Sequence, residues 1–99
     1  MARKLSWDKE VLVQIDEVAT YVSENWGKAA AAKFIKTTQK QAKLLINLPH
    51  LGRKSSKADD LYLINVGTYH WLYYLVFPDQ ITVVYLFDTR QEPEKNSYQ

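Results

Sequence analysis

At 99 residues, 46% apolar and 24% charged, the chain has the composition of one packed domain and too little length for two. It has no cysteine, which excludes a disulfide framework and thiolate metal sites, and its two histidines, His50 and His70, cannot hold zinc without carboxylates. No apolar run reaches the roughly 18 residues of a membrane span, no signal-peptide core is present, and the net charge is only +2, so a cytoplasmic, modestly stable protein is expected.

In chain order, Ala2 to Ser6 is a candidate short strand, and Asp8 is placed to cap a helix through its carboxylate. Val11, Ile15, Val18, Val22 and Trp26 recur at spacings of four, three, four and four, an amphipathic stripe with Glu10, Glu17 and Glu24 on another face. Gly27 is the stop. A second helix is predicted from about Lys28 to Asn47, with Phe34, Ile35, Thr38, Ala42 and Leu45 buried and Lys33, Lys36, Lys40 and Lys43 forming a basic stripe. Pro49 ends it, because Leu48 is pushed away from helical geometry. So short a link at Gly27 makes the two helices an antiparallel hairpin.

Charge divides between these helices. Asp8, Glu10, Asp16, Glu17 and Glu24 stand against Lys9 alone in the first, while Lys28 to Lys43 holds five lysines and no acid. Two readings are open: charged flanks that attract each other across the hairpin, or a basic footprint for nucleic acid.

His50 to Asp60 is a polar loop, after which the period changes to two. Leu61 to Val66, Tyr69 to Phe77 and Gln80 to Phe87 are predicted strands, with a two-residue turn at Gly67-Thr68 and another at Pro78-Asp79. The fold class is therefore α+β: a short N-terminal strand, an antiparallel helical hairpin, then a three-stranded antiparallel meander on which the hairpin packs. Residues 1–95 form the single domain and 96–99 a tail. The order of strands in the sheet does not follow from the sequence.

No nucleophile elbow, phosphate loop or zinc-protease motif is present. Three polar sets remain. Arg53, Lys54 and Lys57, around Ser55 and Ser56, suit a phosphate backbone or a solvated turn whose charge Asp59 and Asp60 partly cancel. His70 is a general acid–base candidate or a structural histidine, and its neighbours Tyr69, Trp71, Tyr73 and Tyr74 are stacking faces or core. Arg90, just past the last strand, suits a bidentate contact to phosphate, or an internal pair with Asp88 or Glu92.

Trp7 with Asp16 to Val22 and Trp26-Gly27, then Leu48-Pro49-His50-Leu51-Gly52-Arg53, then Gly67-Thr68-Tyr69-His70-Trp71-Leu72-Tyr73-Tyr74, and finally Asp88-Thr89-Arg90-Gln91-Glu92-Pro93 stand in order along nearly the whole chain. Together they resemble the RelE/ParE superfamily of bacterial toxins. The resemblance implies a growth-inhibiting toxin of a type II toxin–antitoxin system, held silent by a cognate antitoxin, with no cofactor. RelE-like members cut messenger RNA on the ribosome without metal, on a basic sheet face. ParE-like members block DNA gyrase. By that resemblance the RelE lysine positions are Leu61 and Leu63 here, the strand arginine is His70, the late arginine is Arg90, and the catalytic tyrosine has only Tyr98 nearby. The expectation is thus a ParE-like gyrase inhibitor, with Arg53, Lys54, Lys57, Arg90 and Lys95 as target-contact candidates. The alternatives are a ribosome-dependent ribonuclease using Arg90, His70 and Tyr98, with the Arg53–Lys57 loop also on the RNA, and a toxin fold kept as an interaction module.

Overall fold

In the computed structural model, which describes residues 3–89, the two stretches of helical periodicity fold as α1 (Lys9–Trp26) and α2 (Lys28–Leu44), joined by Gly27 alone. Its φ of +94° costs glycine little, its N–H donates to Ser23 O at 3.0 Å, and its carbonyl accepts Ala31 N–H at 3.2 Å. One residue therefore closes α1 and opens α2. The start of α1 differs from expectation: Asp8 holds the N-cap position with extended backbone, but its carboxylate makes no capping hydrogen bond. The sheet fixes this end instead, because Asp8 N–H donates to Val83 O at 2.9 Å. The first strand, β1, is Lys4–Trp7, two residues later at its start than predicted. At its far end α2 stops at Leu44 rather than Asn47; Leu45 and Ile46 donate to carbonyls three residues back, the tighter pattern of a closing turn.

The rest of the chain adds β2 (Arg53–Lys54), β3 (Leu61–Val66), β4 (His70–Val76) and β5 (Gln80–Asp88). The sheet order is β1-β5-β4-β3-β2, with β1 parallel to β5 and the other pairs antiparallel. The meander is as predicted. The edge strand β2 is not: within the expected loop, Arg53 pairs with Leu63 and Lys54 with Tyr62. The β3–β4 turn is one residue longer than expected, since Val66 pairs with His70 and leaves Gly67, Thr68 and Tyr69 outside the strands. Gly67 supplies the positive φ, +66°, that this turn needs. At Pro78-Asp79 the two-residue turn holds, closed by Phe77 N–H on Gln80 O at 2.8 Å.

In β5 the register slips: Tyr74 faces Val83 while Tyr73 faces Tyr85, so Val84 is an extra residue. Past Trp7, none of the described strands neighbours β5 on the β1 side, and there Gln14 Oε1 accepts Leu86 N–H at 2.9 Å. A helix side chain thus completes the ladder that a four-residue strand leaves unfinished.

Both faces of the sheet are apolar. On the helix side Val11, Ala42, Leu45, Ile64, Val66, Leu72, Tyr74, Ile81 and Val83 form the main core. Each fully buried aliphatic side chain there contributes about 1.5–3 kcal/mol relative to exposure. On the opposite side Leu61, Leu63, Tyr73, Val84 and Phe87 form a second buried cluster, flanked by Trp71, Leu75 and Tyr85. The predicted helical stripes are only partly covered. Along α1, exposure runs from none at Val11 to 62% at Trp26, and in α2 Ile35 is 37% exposed rather than buried. These two positions correct the expected core: Trp26 is exposed at the end of α1, and Ile35 borders an open groove with Leu5 and Trp7 of β1.

Candidate functional site

The loop carrying Arg53, Lys54 and Lys57 is held to the sheet by Gly52. Its N–H donates to the Tyr74 hydroxyl at 3.0 Å, and a Cβ there would collide with Leu63 O, lie 2.6 Å from Ile64 Cγ2 and 2.8 Å from Tyr74 Oη. Only glycine lets the loop backbone approach so closely. Burial holds the Tyr74 phenol in its neutral form and pushes its pKa up to about 12, against a smaller opposite effect of the Gly52 N–H. Tyr62 stacks on Tyr74 at 5.8 Å, and His50 meets Tyr62 edge-on at 5.2 Å. Farther along, Ser55 is buried, donates its N–H to Leu61 O at 2.8 Å, and accepts Lys57 N–H on its hydroxyl at 3.2 Å. So Ser55, between the basic residues, shapes a turn, as Ser–backbone bonds do in general.

Of the three cations, Arg53 lies on the face opposite the helices, its guanidinium 4.8 Å from the Trp71 ring centroid. Lys54 pairs with Asp59 at 3.5 Å, both largely exposed, a contact worth little. Lys57 is exposed in the turn.

His70 lies on the other face. It alternates with Leu72 and Tyr74 along β4, pairs in register with Asp88, and its ring packs 5.3 Å from Phe34 of α2. His70 Nε2 and Asp88 Oδ2 are 3.9 Å apart, at side-chain exposures of 10% and 23%. That is an ion-pair distance for a protonated ring and too long for a hydrogen bond. The structure therefore separates two groups that the ribonuclease alternative combines: Arg53 and His70 face opposite ways through the sheet. Arg90, Lys95 and Tyr98 lie outside the described residues. Of the neighbouring rings, Tyr73 and Tyr74 are fully buried, whereas Tyr69 is half exposed in the turn.

One surface feature does not show in the sequence. Beside His70, Glu17, Val18, Tyr21, Val22, Trp26, Tyr69 and Asp88 line a groove of about 600 Å³ between α1 and the start of β4. Its apolar lining follows the stripe that continues to Trp26, but nothing local tells that the stripe ends exposed. The basic stripe of α2, by contrast, follows from the lysine spacing. Among the described residues no ion pair joins the α1 acids to the α2 lysines, so the charged flanks do not neutralise each other across the hairpin. Among these residues no cluster of three or more His, Asp or Glu is placed to hold a metal ion, and no helix is long and apolar enough to cross a membrane.

Known proteins supply the remaining comparison. A solved chain described as the chromosomal ParDE TA system from P. aeruginosa superposes with a TM-score of 0.76, covering 90% of this chain and 98% of that one. Its sequence identity is 14%, so the likeness speaks for the fold. Comparison with curated protein sequences gives no match. A family model described as the ParE toxin of type II toxin-antitoxin system, parDE, matches residues 5–93, nearly the full length, and the chain belongs to that toxin family.

Proposed function

We propose that this protein inhibits DNA gyrase and that a cognate antitoxin neutralises it. The observation that carries the reading is the face of the sheet opposite the helices. Leu61 and Leu63, which stand where the resemblance puts the lysines of the RNA-cutting relatives, are each 4% exposed and packed among Tyr73, Val84 and Phe87. Cations at those positions would stabilise charge developing on a phosphoryl group; buried leucines cannot. His70, in place of the strand arginine, belongs to the other face. Gyrase as the target rests on membership of the ParE family, and Arg53, Lys54, Lys57, Arg90 and Lys95 are the proposed contacts.

The helical hairpin supports an antitoxin. Leu12, Val13, Ile35 and Leu44 expose between 37% and 51% of their surface on it, and Lys36, Lys40 and Lys43 line the same helix as Leu44. An acidic, otherwise disordered segment would bury that apolar surface while folding, and the lysines would speed its arrival. The association rate should fall as salt is raised; a salt-independent rate would remove the steering part.

The whole-cell test is to induce the gene without its antitoxin and follow labelled thymidine and methionine. Thymidine incorporation should fall first. Methionine falling first would replace gyrase with messenger RNA as the target, and growth unaffected by soluble protein that binds the host gyrase would indicate a toxin fold without activity.

A further inference from the structure

The groove beside His70 has a composition unlike the rest of the surface. Tyr21, Trp26 and Tyr69 expose 49%, 62% and 50% of their surface, and the Tyr21 and Trp26 rings meet edge-on at 5.7 Å. Val18, Val22, Glu17, His70 and Asp88 also line it, with the Asp88 carboxylate 3.9 Å from His70 Nε2. Glu17 is exposed and one helical turn from Tyr21, on the same side of α1. Aromatic ring faces are electron-rich, and together with a carboxylate they favour a flat, weakly hydrated cation over an anion or a neutral group. A guanidinium stacks on such rings and forks to a carboxylate in a way that an ammonium does not. At about 600 Å³ the groove exceeds one guanidinium and its stem, leaving room for apolar neighbours on the same segment.

We infer that this groove is a docking site for a partner-protein segment that presents an arginine between apolar side chains. The arginine lies across Tyr21 and Trp26 with its guanidinium at Glu17, and the flanking apolar residues cover Val18 and Val22. The inference does not depend on gyrase being the target. It also separates two surfaces by charge: the lysine-lined α2 takes acidic partners, and the aromatic end of α1 takes basic ones.

The test uses the full chain, isotope-labelled, titrated with the peptide acetyl-Leu-Arg-Val-Arg-Leu-amide and with its citrulline counterpart, which keeps the shape and loses the charge. The arginine peptide should move the Trp26 indole signal, identified by its loss in Trp26→Phe, together with the backbone signals of residues 17–22. The citrulline peptide should bind at least about tenfold more weakly, the equivalent of ~1.4 kcal/mol. Glu17→Gln, at an exposed position, should weaken the arginine peptide several-fold and leave the citrulline peptide unchanged. Equal binding of the two peptides, no response at Trp26 at millimolar peptide, or indifference to Glu17→Gln would each overturn the proposal. Spermidine binding as tightly as the arginine peptide would also overturn it, by showing a site for small cations rather than for a protein segment.

Discussion

The two faces of the sheet are both apolar but are built differently. The helix side is a conventional interior, with α1 and α2 laid on Ile64, Leu72, Tyr74 and Val83, and its polar members, Thr38 and His70, are placed against neighbours: the Thr38 hydroxyl donates to Phe34 O at 2.9 Å, and His70 packs on Phe34 beside Asp88. The opposite side is a cluster of leucines and aromatic rings with Arg53 laid over Trp71 at its margin. The difference teaches where the chemistry of this fold can change while the fold is kept. The helices pack on one face only, so the side chains of the opposite face make no part of the hairpin's own core.

That comparison breaks if the opposite face is not truly interior. Leu72→Ala, on the helix side, should cost about 2–5 kcal/mol in denaturant unfolding, and Leu63→Ala a comparable amount. A change near zero for Leu63→Ala would mean a surface leucine and would reopen that face as a reactive site. Next in size is Gly52→Ala, which forces a Cβ against Leu63 O and Tyr74; overpacking of this kind costs about 1–3 kcal/mol, read as a fall in Tm.

The Tyr74 phenol gives a pH test of the helix side. Its folded pKa, about 12, lies above the ordinary value of 10.0, so the folded state holds the proton more tightly than the unfolded state. The associated stability is fully present below pH 10 and is lost as pH rises from 10 towards 12, on the order of 2 kcal/mol. Tyr74→Phe should flatten that part of the profile, and an unchanged slope would count against the burial argument. The smallest effect is expected at Arg53→Ala, about 0.5–1 kcal/mol for an exposed guanidinium–indole contact, measured by a double-mutant cycle with Trp71→Phe.

Much of this was legible in the sequence, and the rest was hidden for reasons that can be named. Both helices, the hairpin at Gly27 and the meander follow from period and turn chemistry, which are local. Pairing β1 in parallel with β5 is not local: Lys4 meets Gln80 across most of the chain, and no nearby residue signals it. The strand β2 is only Arg53-Lys54, two charged residues with no alternation to read. Asp8 was in the right place for a cap, but tertiary bonding through its own N–H replaced the carboxylate. At the candidate site, His70 and Arg53 were both noticed, yet their separation onto opposite faces depends on strand register and on a three-residue turn, one residue beyond what Gly67-Thr68 suggested. A slip of one residue would have reversed the side on which His70 lies.

The central claim, that this ParE-family fold acts on gyrase and not on RNA, is tested most directly with purified protein in a gyrase supercoiling reaction, alongside a translating ribosome programmed with messenger RNA. Supercoiling is expected to fall as toxin is added in excess over gyrase while the messenger stays intact. Undiminished supercoiling together with codon-phased cleavage of the messenger would contradict that claim.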